Sequence, residues 1–174
     1  MKTVSRILCS MLMVLLITGK VPGQVNQTRL NQCELLLKHQ VGLWQTDPKK
    51  DTVYYADSRP FGKGVVETDW MQVKGKTVAE YTIIFGFKEN SLDTIFIYTL
   101  DKSNGLITAT KQFFITPTKG IQETLSTNNI LSPTKKMIGE FYPPDSASVT
   151  LIDNNGRLGK TMYYYRTKKI PTKR

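Results

Sequence analysis

The sequence is poor in the residues on which metal centres and nucleophilic triads are built. It has one histidine, His39, and two cysteines, Cys9 and Cys33, in 174 residues. A histidine-rich metal centre is therefore excluded, and a Ser-His-Asp arrangement would have to be built on His39 alone. His39 follows Lys38 at the end of a predicted helix, where an imidazole commonly meets the terminal carbonyls. There is no internal repeat, and nothing after Gly42 keeps a helical period. The longest apolar run, Ile7 to Ile17, is short of the ~20 residues that cross a bilayer as a helix. No membrane span is expected.

That run follows the basic segment Met1-Lys2-Thr3-Val4-Ser5-Arg6 and precedes Val21-Pro22-Gly23, which together read as a secretory signal peptide over 1–23 with cleavage near Gly23, before Gln24. The expectation is a secreted or periplasmic, monomeric protein. Cys9 leaves with the signal, so Cys33 remains alone and no intramolecular disulfide can staple the fold. Stability must rest on a core, and one domain of ~150 residues buries roughly 70% of the surface exposed by its unfolded chain. Cys33 itself falls on an apolar helix stripe, which points to packing rather than to a reactive thiol.

Charge is abundant and mostly positive. Removing Lys2, Arg6 and Lys20 with an acid-free signal lowers the net charge by three, from +10 to +7. Much of the remainder sits at the end of the chain, where 169–174 reads as a solvated basic tail. Basic residues are not interleaved with aromatics in a nucleic-acid motif, so no nucleic-acid partner is expected.

Between these ends, Leu30, Cys33, Leu36 and Leu37 recur at helical spacing, with Asn26 or Thr28 as N-caps of a short helix ending near His39. The period then changes to two. Runs rich in Val, Ile, Thr, Tyr and Phe predict strands over 42–46, 52–56, 64–73, 77–88, 92–100, 106–115, 120–126, 135–142, 146–153 and 159–168. Tyr81, Ile83, Phe85 and Phe87 share one face of the fourth, and Leu92, Phe96, Tyr98 and Leu100 one face of the fifth. Glycine-bearing links such as Val73-Lys74-Gly75-Lys76 and Asn154-Asn155-Gly156 predict tight hairpins. About ten antiparallel neighbours joined by short turns favour an up-and-down barrel, which removes sheet edges by closure, over a Greek-key sandwich.

The stretch Val41-Gly42-Leu43-Trp44-Gln45-Thr46-Asp47 then gains weight from its position. A helix, a Gly42-x-Trp44 opening to the first strand, and Arg166 within the last strand, Met162 to Lys168, resemble the calycin superfamily of lipocalins and fatty-acid-binding proteins. The likeness is closest to bacterial lipocalin-like domains of exported proteins, and in strand order it spans about Leu36 to Lys168, within a barrel domain placed at 24–168. It implies that Gly42 admits a close backbone approach, that Trp44 closes one end of the barrel, and that Arg166 lies across the indole. The chain departs from the superfamily's extracellular members in lacking disulfides. It also lacks the Arg-x-Tyr pair of fatty-acid-binding proteins, since Tyr164 and Arg166 stand in the reverse order.

For function the interior is the place to look. Tyr81, Phe85, Phe96, Tyr98, Phe113, Phe141 and Tyr164 either line a cavity suited to a small hydrophobic ligand or fill the barrel by packing on one another. Glu67 and Asp69, two apart on the third strand and joined by Glu80 across the turn, could form a carboxyl pair, but an outward polar face is the expected arrangement. Three readings follow: a lipocalin-like binding protein, an isomerase-, cyclase- or hydrolase-like enzyme using interior Tyr, Asp or Glu, and a barrel whose basic surface holds an acidic envelope partner. No cofactor or metal is implied, and the first reading is preferred because no catalytic cluster stands out.

Overall fold

The computed structural model describes residues 30–126, 136–153 and 155–170. The signal segment, the cleavage site near Gly23, the N-caps expected at Asn26 or Thr28, and tail residues 171–174 lie outside the described residues. Among the described residues one helix, α1 (Gln32–Gln40), precedes ten strands: β1 (Gly42–Gln45), β2 (Thr52–Phe61), β3 (Gly64–Val73), β4 (Lys76–Phe87), β5 (Ile95–Asp101), β6 (Ile107–Thr116), β7 (Lys119–Ser126), β8 (Lys136–Tyr142), β9 (Ser146–Ile152) and β10 (Leu158–Arg166). Every strand pairs antiparallel with its sequence neighbours, and β10 returns to β1 to close the barrel. It is an all-β, up-and-down barrel.

The hairpins follow from local chemistry. Between β3 and β4 the two-residue link Lys74-Gly75 has φ of 50° and 78°, the double positive φ that lets a two-residue turn match the twist of its strands. Strand β2 runs five residues past its expected end at Ala56. Asp57-Ser58-Arg59-Pro60 has the composition of a turn, yet Ser58 pairs with Glu67 and Pro60 with Val65. The ladder outweighs local propensity there.

Helix α1 starts later than the sequence suggests. Its N-cap is Asn31, whose side chain accepts a hydrogen bond of 3.1 Å from the Glu34 amide. The buried stripe is accordingly Gln32, Leu35, Leu36 and His39. Leu35 and Leu36 pack with Val65, Phe85, Ile95, Ile97 and Phe114, so α1 covers the end of the barrel where β3 and β5 begin and β4 and β6 finish. Gln32 fixes this placement by bonding both ways with the Phe114 backbone, donating to its carbonyl at 3.0 Å and accepting from its amide at 2.6 Å. Cys33 is half-buried, with its thiol donating to the Lys63 carbonyl at 3.3 Å. Among the described residues no helix is long and apolar enough to cross a membrane.

Closure depends on three residues. Trp44 and Arg166 are cross-strand partners on β1 and β10, and the guanidinium carbon lies 4.5 Å from the indole centroid. Its nitrogens donate to the carbonyls of Val41 at 2.8 Å, Lys38 at 3.1 Å and His39 at 3.3 Å. The Trp44 Nε1 donates to the Gln40 carbonyl at 3.0 Å, so both side chains cap the exposed carbonyls at the end of α1. Gly42 has φ +137°, and a Cβ there would stand 2.7 Å from Arg166 Nη1. Only glycine allows that approach.

On the outside, Tyr55 stacks on Trp70 at 5.3 Å beside Val53, and Ile170 from the chain following β10 packs on this patch. The start of the basic tail is therefore anchored by an apolar contact. Replacing Trp44 by Ala should destabilise the protein by ~3 to 5 kcal/mol, the cost of a buried aromatic and its cavity. Urea unfolding of the two proteins measures the difference.

Candidate ligand cavity and its carboxyl pair

The closed wall surrounds a cavity of about 330 Å³, at the small end of the ~300 to 1,000 Å³ usual for small-molecule sites. The interior is therefore not filled by its own side chains. Trp44 forms part of the cavity wall as well as the closure, and Ile97, Met137, Val149 and Met162 add aliphatic surface.

Of the residues expected to line the interior, Phe85, Phe141 and Tyr164 do so. Tyr81 shares the inward face of β4 with Ile83 and Phe85, opposite Asp69, but is not part of the cavity wall. Phe96, Tyr98 and Phe113 are elsewhere. Strand β5 turns Ile95, Ile97 and Thr99 inward, leaving Phe96 beneath the Lys88 ammonium at 5.0 Å and Tyr98 exposed. On β6, inward Gln112 and the buried Phe114 flank Phe113, which alternation turns outward. The segment Ile95 to Leu100 is apolar on both faces, so its aromatic face carried no mark of being the outer one.

The polar wall reverses a second expectation. Glu67 and Asp69 do share a face of β3, but it is the inner one, and both carboxyls reach the cavity. Glu80 does not join them: it is paired with Trp70 across the β3–β4 ladder, on the other face, and forms an ion pair with Lys102. Glu67 is buried, and its Oε2 accepts from Gln40 Nε2 at 2.6 Å and from the Ser58 hydroxyl. Ser58 is in place only because β2 continues through what looked like a turn.

Burial pushes the Glu67 carboxyl up, against the hydrogen bonds from Ser58, Gln40 and Asp69. Asp69 is raised well above the ordinary carboxylate range, by burial first, then by the Glu67 charge and by its hydrogen bond to Glu67. Two adjacent carboxyls in a low-dielectric wall cannot both ionise cheaply, so they share one proton. Asp69, the more strongly raised of the two, is the one that keeps its proton more readily. The phenol of Tyr164 is driven up as well, by burial first and then by the acidic groups around it.

His39 is buried at the α1 end and plays no part in this pair. Its Nε2 donates to the Pro117 carbonyl at 2.7 Å, and its ring stacks on Phe141 at 4.5 Å. Burial, with Lys38 and Arg166 nearby, lowers its pKa and keeps it neutral. A triad built on it would need its tethered nitrogen. Among the described residues no group of three or more His, Cys, Asp or Glu could hold a metal ion.

Gln40, Thr99, Gln112, Gln122 and Ser148 complete the polar lining, and the sequence carried no signal for them beyond alternation with apolar neighbours. The carboxyl pair predicts a specific pH dependence. Below the unfolded Asp pKa of about 3.9 both states are protonated and there is no penalty; as pH rises from there towards the raised folded value, folding must retain a proton that the unfolded chain releases. Asp69→Asn cannot ionise and still offers a donor to Glu67. Its stability relative to the parent should therefore improve steadily as pH rises from 3 to 7. Thermal unfolding across that range reads the trend, and a pH-independent difference would contradict the shared proton.

Compared with protein-family models, with curated proteins and with solved structures, the chain matches none.

Proposed function

We propose that this chain is an exported, lipocalin-like binding protein whose barrel holds a small hydrophobic molecule. The observation that carries the reading is the cavity of about 330 Å³ inside a closed wall, with Trp44, Phe85 and Phe141 presenting flat apolar surface among polar groups that include Glu67, Asp69 and Gln112. That is the composition of a small-molecule site, apolar walls for affinity and sparse polar groups for orientation. The likeness of the Gly42-x-Trp44 opening and Arg166 to the calycin pattern supports it. Export rests on the basic start and apolar run of residues 1–23.

The carboxyl pair favours a second reading, an acid–base enzyme in which Asp69 donates a proton and Glu67 accepts one. Binding remains the better account. Glu67 Oε2 already takes two donors, and the two carboxyls are spent on each other rather than on separate sides of a reacting centre.

The uncharged dye N-phenyl-1-naphthylamine, titrated into the purified protein, should brighten and shift to the blue with saturation near one dye per chain. Ala147→Leu, which adds volume at the cavity wall, should weaken that binding by about tenfold, or 1.4 kcal/mol. A folded protein that leaves the dye's emission unchanged would overturn the proposal.

A further inference from the structure

We infer that the molecule held in the barrel carries a protonated amine, seated on Glu67 and Asp69. The inference rests on the cavity being a binding site and specifies what that site recognises. Its starting point is an imbalance of charge. The chain carries a net +10, yet its cavity wall is acidic. Four acids elsewhere on the barrel meet cations: Arg59 bonds Asp57, Lys102 bonds Glu80, Lys111 and Lys136 bond Glu123, and Lys119 bonds Glu140. Among the described residues no such pairing reaches Glu67 or Asp69. The donors that meet Glu67 from outside the pair, Gln40 and Ser58, are neutral.

A second observation is that the pair is not fully satisfied. Asp69 is partly buried as a residue, but its Oδ1 is closed off from solvent and has no hydrogen-bond partner, in a side chain that lines the cavity. An acceptor left in that condition costs about 1 to 3 kcal/mol, and an uncompensated buried charge costs more. An ammonium group answers both deficits. It supplies up to three donors and one positive charge, enough to neutralise the pair and, once the Asp69 side chain turns its closed-off Oδ1 toward the cavity, to meet that acceptor. A hydroxyl supplies one donor and no charge, and a carboxylate adds repulsion. The aromatic surfaces of Trp44, Phe85 and Phe141 then suit a flat apolar body attached to the amine, with a cation–π contribution where the charge passes a ring face.

The test is a matched series on the unaltered protein: 2-phenylethylamine, 2-phenylethanol and phenylacetate by isothermal titration calorimetry at pH 7, beside the uncharged naphthylamine dye. The amine should bind about 10- to 100-fold tighter than the alcohol, the advantage of a charge-assisted hydrogen bond, and the acid should not bind measurably. The double variant Glu67→Gln/Asp69→Asn, checked for its fold by near-ultraviolet circular dichroism, should lose the amine's advantage. Uptake of the dye with the alcohol bound as tightly as the amine would overturn this inference and leave the cavity reading standing. Failure of the dye and of all three probes would remove both. An amine preference that survives in the double variant would assign it to other groups and equally overturn the role of this pair, while a variant that does not fold leaves the series on the unaltered protein to decide.

Discussion

The barrel depends on one contact between the two ends of its sheet. β10 and β1 share only a short ladder, Trp44 with Arg166 and Gln45 with Tyr165, and Arg166 lying on the Trp44 indole reinforces it. The guanidinium is suited to the position because one planar group serves three purposes. It faces a ring, carries charge that the ring quadrupole attracts, and reaches the carbonyls of Lys38, His39 and Val41 that the end of α1 leaves exposed. A lysine ammonium could not span those acceptors. The closure thus ties helix, first strand and last strand into one unit, and Gly42 is glycine because the guanidinium occupies the space of its side chain.

Closing the sheet at that end also defines what the interior can be. Helix α1 and the apolar cluster around Leu36, Ile95 and Phe114 fill the volume beneath it, so the remaining space lies farther along the barrel, walled by Trp44 and Phe141 on one side of the sheet and Phe85 on the other. Polar residues placed there are removed from water whatever their sequence context. Glu67 and Asp69 carry the consequence, a shared proton and an unmet acceptor. Glu80, on the outer face of the neighbouring strand β4, meets Lys102 instead.

The parts of the structure with local causes were legible in the residues. Alternation of period two and the positive-φ turn at Lys74-Gly75 place the strands to within a few residues, and short links imply neighbours that pair antiparallel. Gly42, Trp44 and Arg166 could be singled out because their positions at the two ends of a meander gave a rare triplet a meaning. Where local chemistry was ambiguous the reading went astray. Asp57 to Pro60 has the residues of a turn and continues a strand, and the helix begins at Asn31, the residue whose side chain makes the capping bond.

The inward or outward sense of each strand is of another kind. Ile95 to Leu100 is apolar on both faces, and Glu67 with Asp69 looks like a solvated face, so composition alone puts Tyr98 inside and the carboxyls outside. The structure does the reverse. A strand's side chains alternate as a rigid set, and the set is turned by its partners: once Phe85, Ile97 and Phe114 meet Leu36 under the helix, parity carries Thr99 inward, Tyr98 outward, and Glu67 and Asp69 in behind Val65. The sequence by itself thus determined a ten-stranded antiparallel meander with a tryptophan at its opening and an arginine at its end. Only tertiary closure decided which face became the interior, because that choice belongs to the register of the whole ladder and to no single strand.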